Sequence, residues 1–182
     1  MIKRLSSESV DEQLAGLHRA ATYYKVIRNF KNGNEDIRLN NALSALMAVP
    51  QITQLNVSNS VISLAQIYEE QYEQHNLSAA SKFLWLRFKS PIIIFDSRAL
   101  KCLYKIGNIK RKCSYDEYRL EWLRNYSIYK DDIESACKKL VIHKNYSLAN
   151  NISDEELSII TSNQWFKERV FDKFLWFNSD DS

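Results

Sequence analysis

Glycine and proline are almost missing: the 182 residues contain three of the first and two of the second. A β-rich fold needs many tight turns, and those turns draw on these two residues. Their scarcity argues against sandwiches and barrels and predicts an all-α fold, a compact multi-helix domain joined by short loops. Cysteine is also sparse. Cys102, Cys113 and Cys137 match neither a zinc-ligand spacing nor a four-cysteine iron–sulfur set. The sequence therefore points to reduced thiols, with no metal and no cofactor. No apolar run approaches the length of a membrane span, and Met1 to Leu5 lacks the apolar core of a signal peptide. The expectation is a cytoplasmic protein that does not enter membranes. At 45% hydrophobic and 26% charged residues, the composition is that of a folded chain rather than a disordered one. Residues 1–182 are read as a single helical domain and a monomer.

One sign of charge is missing from the middle of the chain. Between Ser81 and Cys113 stand Lys82, Arg87, Lys89, Arg98, Lys101, Lys105, Lys110, Arg111 and Lys112, with Asp96 as the only acid. The stretch is net +8 in a chain that is net +3, so the remainder is net −5. That polarity suggests one face intended for a polyanion, and DNA is the expected partner.

Helical periodicity sets the organisation. Leu14, Leu17, Ala21 and Tyr24 predict an amphipathic helix from Val10 to Phe30, broken at Lys31-Asn32-Gly33-Asn34. A second helix is expected from about Glu35 to Val49, stopping at Pro50. Val57, Val61, Leu64, Ala65, Tyr68 and Tyr72 form a third stripe. Ser78 is the expected N-cap of a helix ending near Phe88, before Lys89-Ser90-Pro91. Ile92 to Phe95 reads as a buried extended connector. Asp96 or Ser97 then caps a helix to Ile106, and Gly107 to Cys113 is a basic loop. Ser114 opens a helix carrying Tyr115, Tyr118, Trp122 and Tyr126, and Ile133 to Val141 marks its successor. Ser153 to Glu156 has the pattern of a capping box, and Gln164 to Phe177 is the last helix, followed by an acidic tail. The four tryptophans, among apolar neighbours, are expected in the core. Arg169 and Asp172, three apart on a helix, are expected to pair.

Two helices joined at His75-Asn76-Leu77, then an apolar connector, then an Asp at a helix start: this order resembles the helix-hairpin-helix (HhH-GPD) DNA glycosylases. Asn76-Leu77-Ser78 would stand at the family's Gly-hydrophobic-Gly positions, and Pro91-Ile92-Ile93-Ile94-Phe95-Asp96 at its connector and carboxylate. Ser81-Lys82-Phe83-Leu84 and Ile94-Phe95-Asp96-Ser97-Arg98 are similar to a small bacterial, 8-oxoguanine-glycosylase-like branch of that superfamily. The close match covers about 30 residues, and helix order extends it loosely to most of the chain.

The resemblance implies a central hairpin that offers backbone N–H groups to a DNA phosphate. It also implies hydrolysis of the N-glycosidic bond of a flipped, damaged or modified base, in excision repair or phage defence. Asp96 would be the catalytic carboxylate. His75, Asn76, Leu77, Ser78, Arg98, Lys101, Lys110, Arg111 and Lys112 would contact DNA. In family members with lyase activity, a Schiff-base Lys lies two residues after the second hairpin Gly. That position is Ala80 here, and Lys82 lies about 200° further around the helix. A monofunctional enzyme is therefore expected, with Lys82 as the alternative amine nucleophile. Both hairpin glycines are absent, which alters the phosphate clamp. Two other readings stay open: a non-catalytic DNA-binding protein on the same scaffold, and a helical protein–protein adaptor.

Overall fold

The computed structural model describes residues 2–30, 39–146 and 150–179. Every regular element among them is helical, as the shortage of turn residues requires. The chain forms two compact units, Met1–Phe95 and Asp96–Ser182. Among the described residues, no helix is long and apolar enough to cross a membrane.

The first unit contains α1 (Ile2–Leu5), α2 (Val10–Tyr23), α3 (Asn40–Ala48), α4 (Val57–Tyr72) and α5 (Leu77–Phe88). Helix α2 is shorter than its periodicity suggests. Lys25 adopts a left-handed backbone, φ 56°, and the chain turns there. The Val26 N–H donates to the Ala21 carbonyl and the Lys25 N–H to the Thr22 carbonyl. This is a Schellman ending with Lys25 where a glycine is usual. It lets Val26 fold back into the core and delivers Phe30 into a ring cluster with Tyr68, Tyr72 and Phe83. The expected break at residues 31–34 and the expected start of the next helix at Glu35 lie outside the described residues. That helix, α3, ends at Ala48 because Val49, preceding Pro50, is extended.

Helix α4 buries Val57, Val61, Leu64, Ala65, Tyr68 and Tyr72, the stripe read from the sequence. Its last turn closes on Glu73, φ 54°. Helix α5 then begins at Leu77 with Asn76 as N-cap, two residues earlier than the Ser78 cap expected. Ser78 lies inside the helix, where its hydroxyl accepts the Lys82 amine one turn on. The left-handed residue of this hairpin is Glu73, whereas Asn76 has φ −111°. Helix α5 is buried from Ala79 through Leu86 without a break. It packs on α4, and the Arg87 guanidinium satisfies the Leu46 and Val49 carbonyls at the end of α3, 2.9 Å for the latter.

The second unit contains α6 (Ser97–Ile106), α7 (Tyr115–Ile128), α8 (Lys130–Ile142), α9 (Asp154–Ser162) and α10 (Gln164–Phe177). Helix α7 starts with a full capping box between Ser114 and Glu117. Ser153 accepts the Glu156 N–H at the head of α9. The core is aromatic: Trp122 stacks on Tyr126 with ring centres 5.2 Å apart, and Phe171 from α10 meets both edge-on. Trp85 and Trp122 are core residues as expected, but Trp165 and Trp176 are only half-buried. Trp176 instead offers its ring face to the Arg98 guanidinium, 4.2 Å from the ring centre.

Candidate nucleic-acid interface

Asp96 is placed by the residues on either side of it. Ile92, Ile93 and Ile94 are each at most 3% exposed and extended rather than paired in a sheet, as the connector reading anticipates. The Phe95 N–H donates to the Ser81 hydroxyl at 3.0 Å, which pins the end of the connector. Asp96 itself is extended, φ −138° and ψ 132°, and its Oδ1 accepts the Arg98 N–H at 3.0 Å as the N-cap of α6. The carboxylate is half-buried at the positive end of a helix dipole.

A second carboxylate in this unit interacts electrostatically with Asp96. Asp172 on α10 accepts the Trp122 indole N–H at 2.8 Å and pairs with Arg169 at 2.5 Å. The Arg169–Asp172 pair is the one expected from the sequence. Burial pushes the Asp172 carboxyl up to about 6, helped by the Asp96 charge and opposed by Arg169 and the indole. Tyr118, fully buried, is also raised, first by burial and then by the charges of Asp172 and Asp96. The local sequence gives no sign of this grouping, because Asp172 reaches Trp122 across 50 residues.

The basic stretch divides into two parts. In the first unit Lys82 is buried, and Arg87 and Lys89 are half-buried. Arg87 serves the end of α3, and the Lys89 amine sits 4.0 Å over the Trp85 ring. These three basic residues add little to an exterior surface, which narrows the region that net charge alone marked out. In the second unit, Lys101, Lys105, Lys110, Arg111 and Lys112 are exposed and Arg98 is half-buried. No acid occurs from Ser97 to Cys113.

The fold explains why that surface is continuous. On α6, Ala99, Cys102 and Leu103 face the core, so Arg98, Lys101, Tyr104 and Lys105 occupy the opposite arc. The following loop is anchored. The buried Glu121 carboxylate accepts the Asn108 N–H at 3.0 Å and the Asn125 side-chain amide at 2.7 Å. Ile109 is 9% exposed and plugs inward, leaving Lys110 to Lys112 outside. Gly107 is required here, since a Cβ would collide with the Glu121 carboxylate and approach the Leu103 carbonyl at 2.8 Å. Arg111 lays its guanidinium 4.9 Å from the Tyr104 ring centre.

The hairpin residues and Lys82 belong to the first unit. His75 is exposed and pairs with Glu69 at 3.1 Å. Asn76 is fully buried, and neither atom of its side-chain amide has a hydrogen-bond partner. Leu77 is 9% exposed, so a contact from these two positions would involve backbone. Ala80 is fully buried. The Lys82 amine donates to the Ser78 hydroxyl at 2.7 Å, one turn back along α5, and lies 5.8 Å from the Tyr24 ring centre. Among the described residues, no group of three His, Cys, Asp or Glu side chains could hold a metal ion, and the three cysteines are free thiols. Tyr104, Glu121 and Asp172 are the residues that the sequence reading did not single out as part of a site.

No protein-family model, no curated protein and no solved structure matches this chain.

Proposed function

We propose that the protein is a DNA glycosylase that hydrolyses the N-glycosidic bond of a damaged or modified base extruded from the duplex. The observation that carries this reading is the position of Asp96. It follows a buried apolar connector and caps α6, the helix that with its following loop carries six basic residues and no acid through Cys113. A base inside a duplex cannot be attacked, so it must first be flipped, at a cost of a few kcal/mol. The exposed cations of α6 and its loop hold the distorted backbone. Asp96 stabilises the positive charge that develops on the sugar and orients the attacking water. Assistance of this kind contributes roughly 10²–10⁴ in rate. The resemblance of residues 75–98 to the helix-hairpin-helix glycosylases supports the same assignment.

The experiment is to incubate the protein with duplexes carrying oxidised, alkylated or phage-type modified bases and to score abasic sites. One productive duplex establishes the activity and names the base. In parallel, changing Lys110, Arg111 and Lys112 together to Ala should weaken duplex binding across sequences and flatten its salt dependence. A second reading is favoured by the hydrogen bond from the Arg98 N–H to Asp96. Helix capping alone accounts for a carboxylate there, and the protein is then a non-catalytic DNA-binding protein. It would bind the same duplexes and release no base.

A further inference from the structure

Tyr104 is an aromatic side chain in the middle of the basic surface, and its ring is not used by the core. It is 44% exposed, three residues after Lys101 and next to Lys105 on the outer arc of α6. Arg111 reaches from the anchored loop onto the ring, at 4.9 Å from its centre. Exposed cations flank the two residues in sequence, Lys101 and Lys105 on α6 and Lys110 and Lys112 in the loop, the Lys105 amine also donating to the Ser179 carbonyl at 3.2 Å. A surface built only to hold the phosphates of a duplex needs cations and no aromatic. A ring set among cations is the combination that binds unpaired strands: the cations follow the backbone, and each base offers a π-face to the ring.

We propose that the α6–loop surface binds an unpaired stretch of DNA, with a nucleobase stacked at Tyr104 and Arg111. This rests on the DNA-binding reading above and specifies its substrate class: DNA with an opened or unpaired segment beside the base that is processed. The anchoring of the loop by Glu121 and Ile109 holds Arg111 in place before DNA arrives. Stacking at Tyr104 is independent of sequence, because every base can supply it.

Binding of a fluorescent 12-mer of thymidines is compared with that of a 12-mer of abasic spacers carrying the same phosphates. Wild-type protein should bind the thymidine strand roughly 5- to 100-fold more tightly. Tyr104→Ala should remove most of that difference, and Tyr104→Phe should retain it. Because the residue is exposed, melting temperature should hardly change. Equal affinity of the wild type for both strands overturns the proposal, as does a preference that survives Tyr104→Ala. Loss of binding to both strands on changing Lys110, Arg111 and Lys112 to Ala, with no effect of Tyr104→Ala, keeps the DNA-binding reading and removes the stacking platform. No binding of the wild type to either strand or to duplex at low salt removes both.

Discussion

The Trp122 indole N–H donates to Asp172 Oδ1 at 2.8 Å, joining α7 to α10 through a carboxylate whose side chain is 11% exposed. In the unfolded chain this carboxyl loses its proton near its ordinary value of 3.8, whereas in the fold it does so at about 6. Between those values the folded protein holds the extra proton, so this group's contribution falls as pH rises from about 4 to 6. Asp172→Asn keeps an acceptor for Trp122 and removes the titration. The variant should therefore gain roughly 2–3 kcal/mol relative to wild type on going from pH 4 to pH 7. Urea melts at the two pH values check this, and a stability gap that does not change with pH would contradict it.

Gly107 faces the Glu121 carboxylate and the Leu103 carbonyl where the basic loop leaves α6. Gly107→Ala should cost about 1–3 kcal/mol by overpacking. It should also weaken DNA binding, by loosening the segment that presents Lys110 to Lys112. Glu121→Gln keeps the volume and an oxygen acceptor, so its effect on both measurements should be smaller. Thermal melts and duplex titrations on the two variants test the anchor, and an unperturbed Gly107→Ala protein would show that the loop is held otherwise.

Lys82 reaches back to Ser78 within α5, and the proposed enzyme is monofunctional. It should leave an intact abasic site with no strand cleavage, and borohydride should trap no protein–DNA crosslink. Lys82→Gln should lower affinity or stability more than it lowers the rate of base release. A crosslink that forms with wild type and disappears in Lys82→Gln would make the buried amine the nucleophile.

Elements whose signals are local were legible in the sequence. The α4 stripe, the Ser114 and Ser153 caps, the Ile92–Phe95 connector, the Asp96 cap and the bounds of α10 all depend on residues within a turn or two of each other. Two boundaries were not. Helix α2 stops because Lys25, a residue with no left-handed preference, takes that conformation so that Val26 and Phe30 can be buried. Helix α5 starts before Ser78, the best capping residue in the local sequence, and Ser78 instead accepts the Lys82 amine from within the helix. Net charge located the basic surface only roughly. It cannot distinguish Arg87, which closes the end of α3, from Lys110, which faces solvent. Asp172, Glu121 and Tyr104 acquire their settings from partners on other segments, and a local pattern does not reveal these.

The central claim is that Asp96 is the carboxylate that promotes base release, and one substitution tests it most directly. Asp96→Asn removes the charge but keeps the shape and the N-cap acceptor, since Asn caps helices about as well as Asp. On a duplex shown to yield abasic sites with wild type, single-turnover base release is measured for the variant. Melting temperature and duplex affinity are followed alongside. The account predicts that release falls by at least roughly 10²-fold while fold and binding stay near wild type. Release at near-wild-type rate by a folded, DNA-bound Asp96→Asn protein would contradict it.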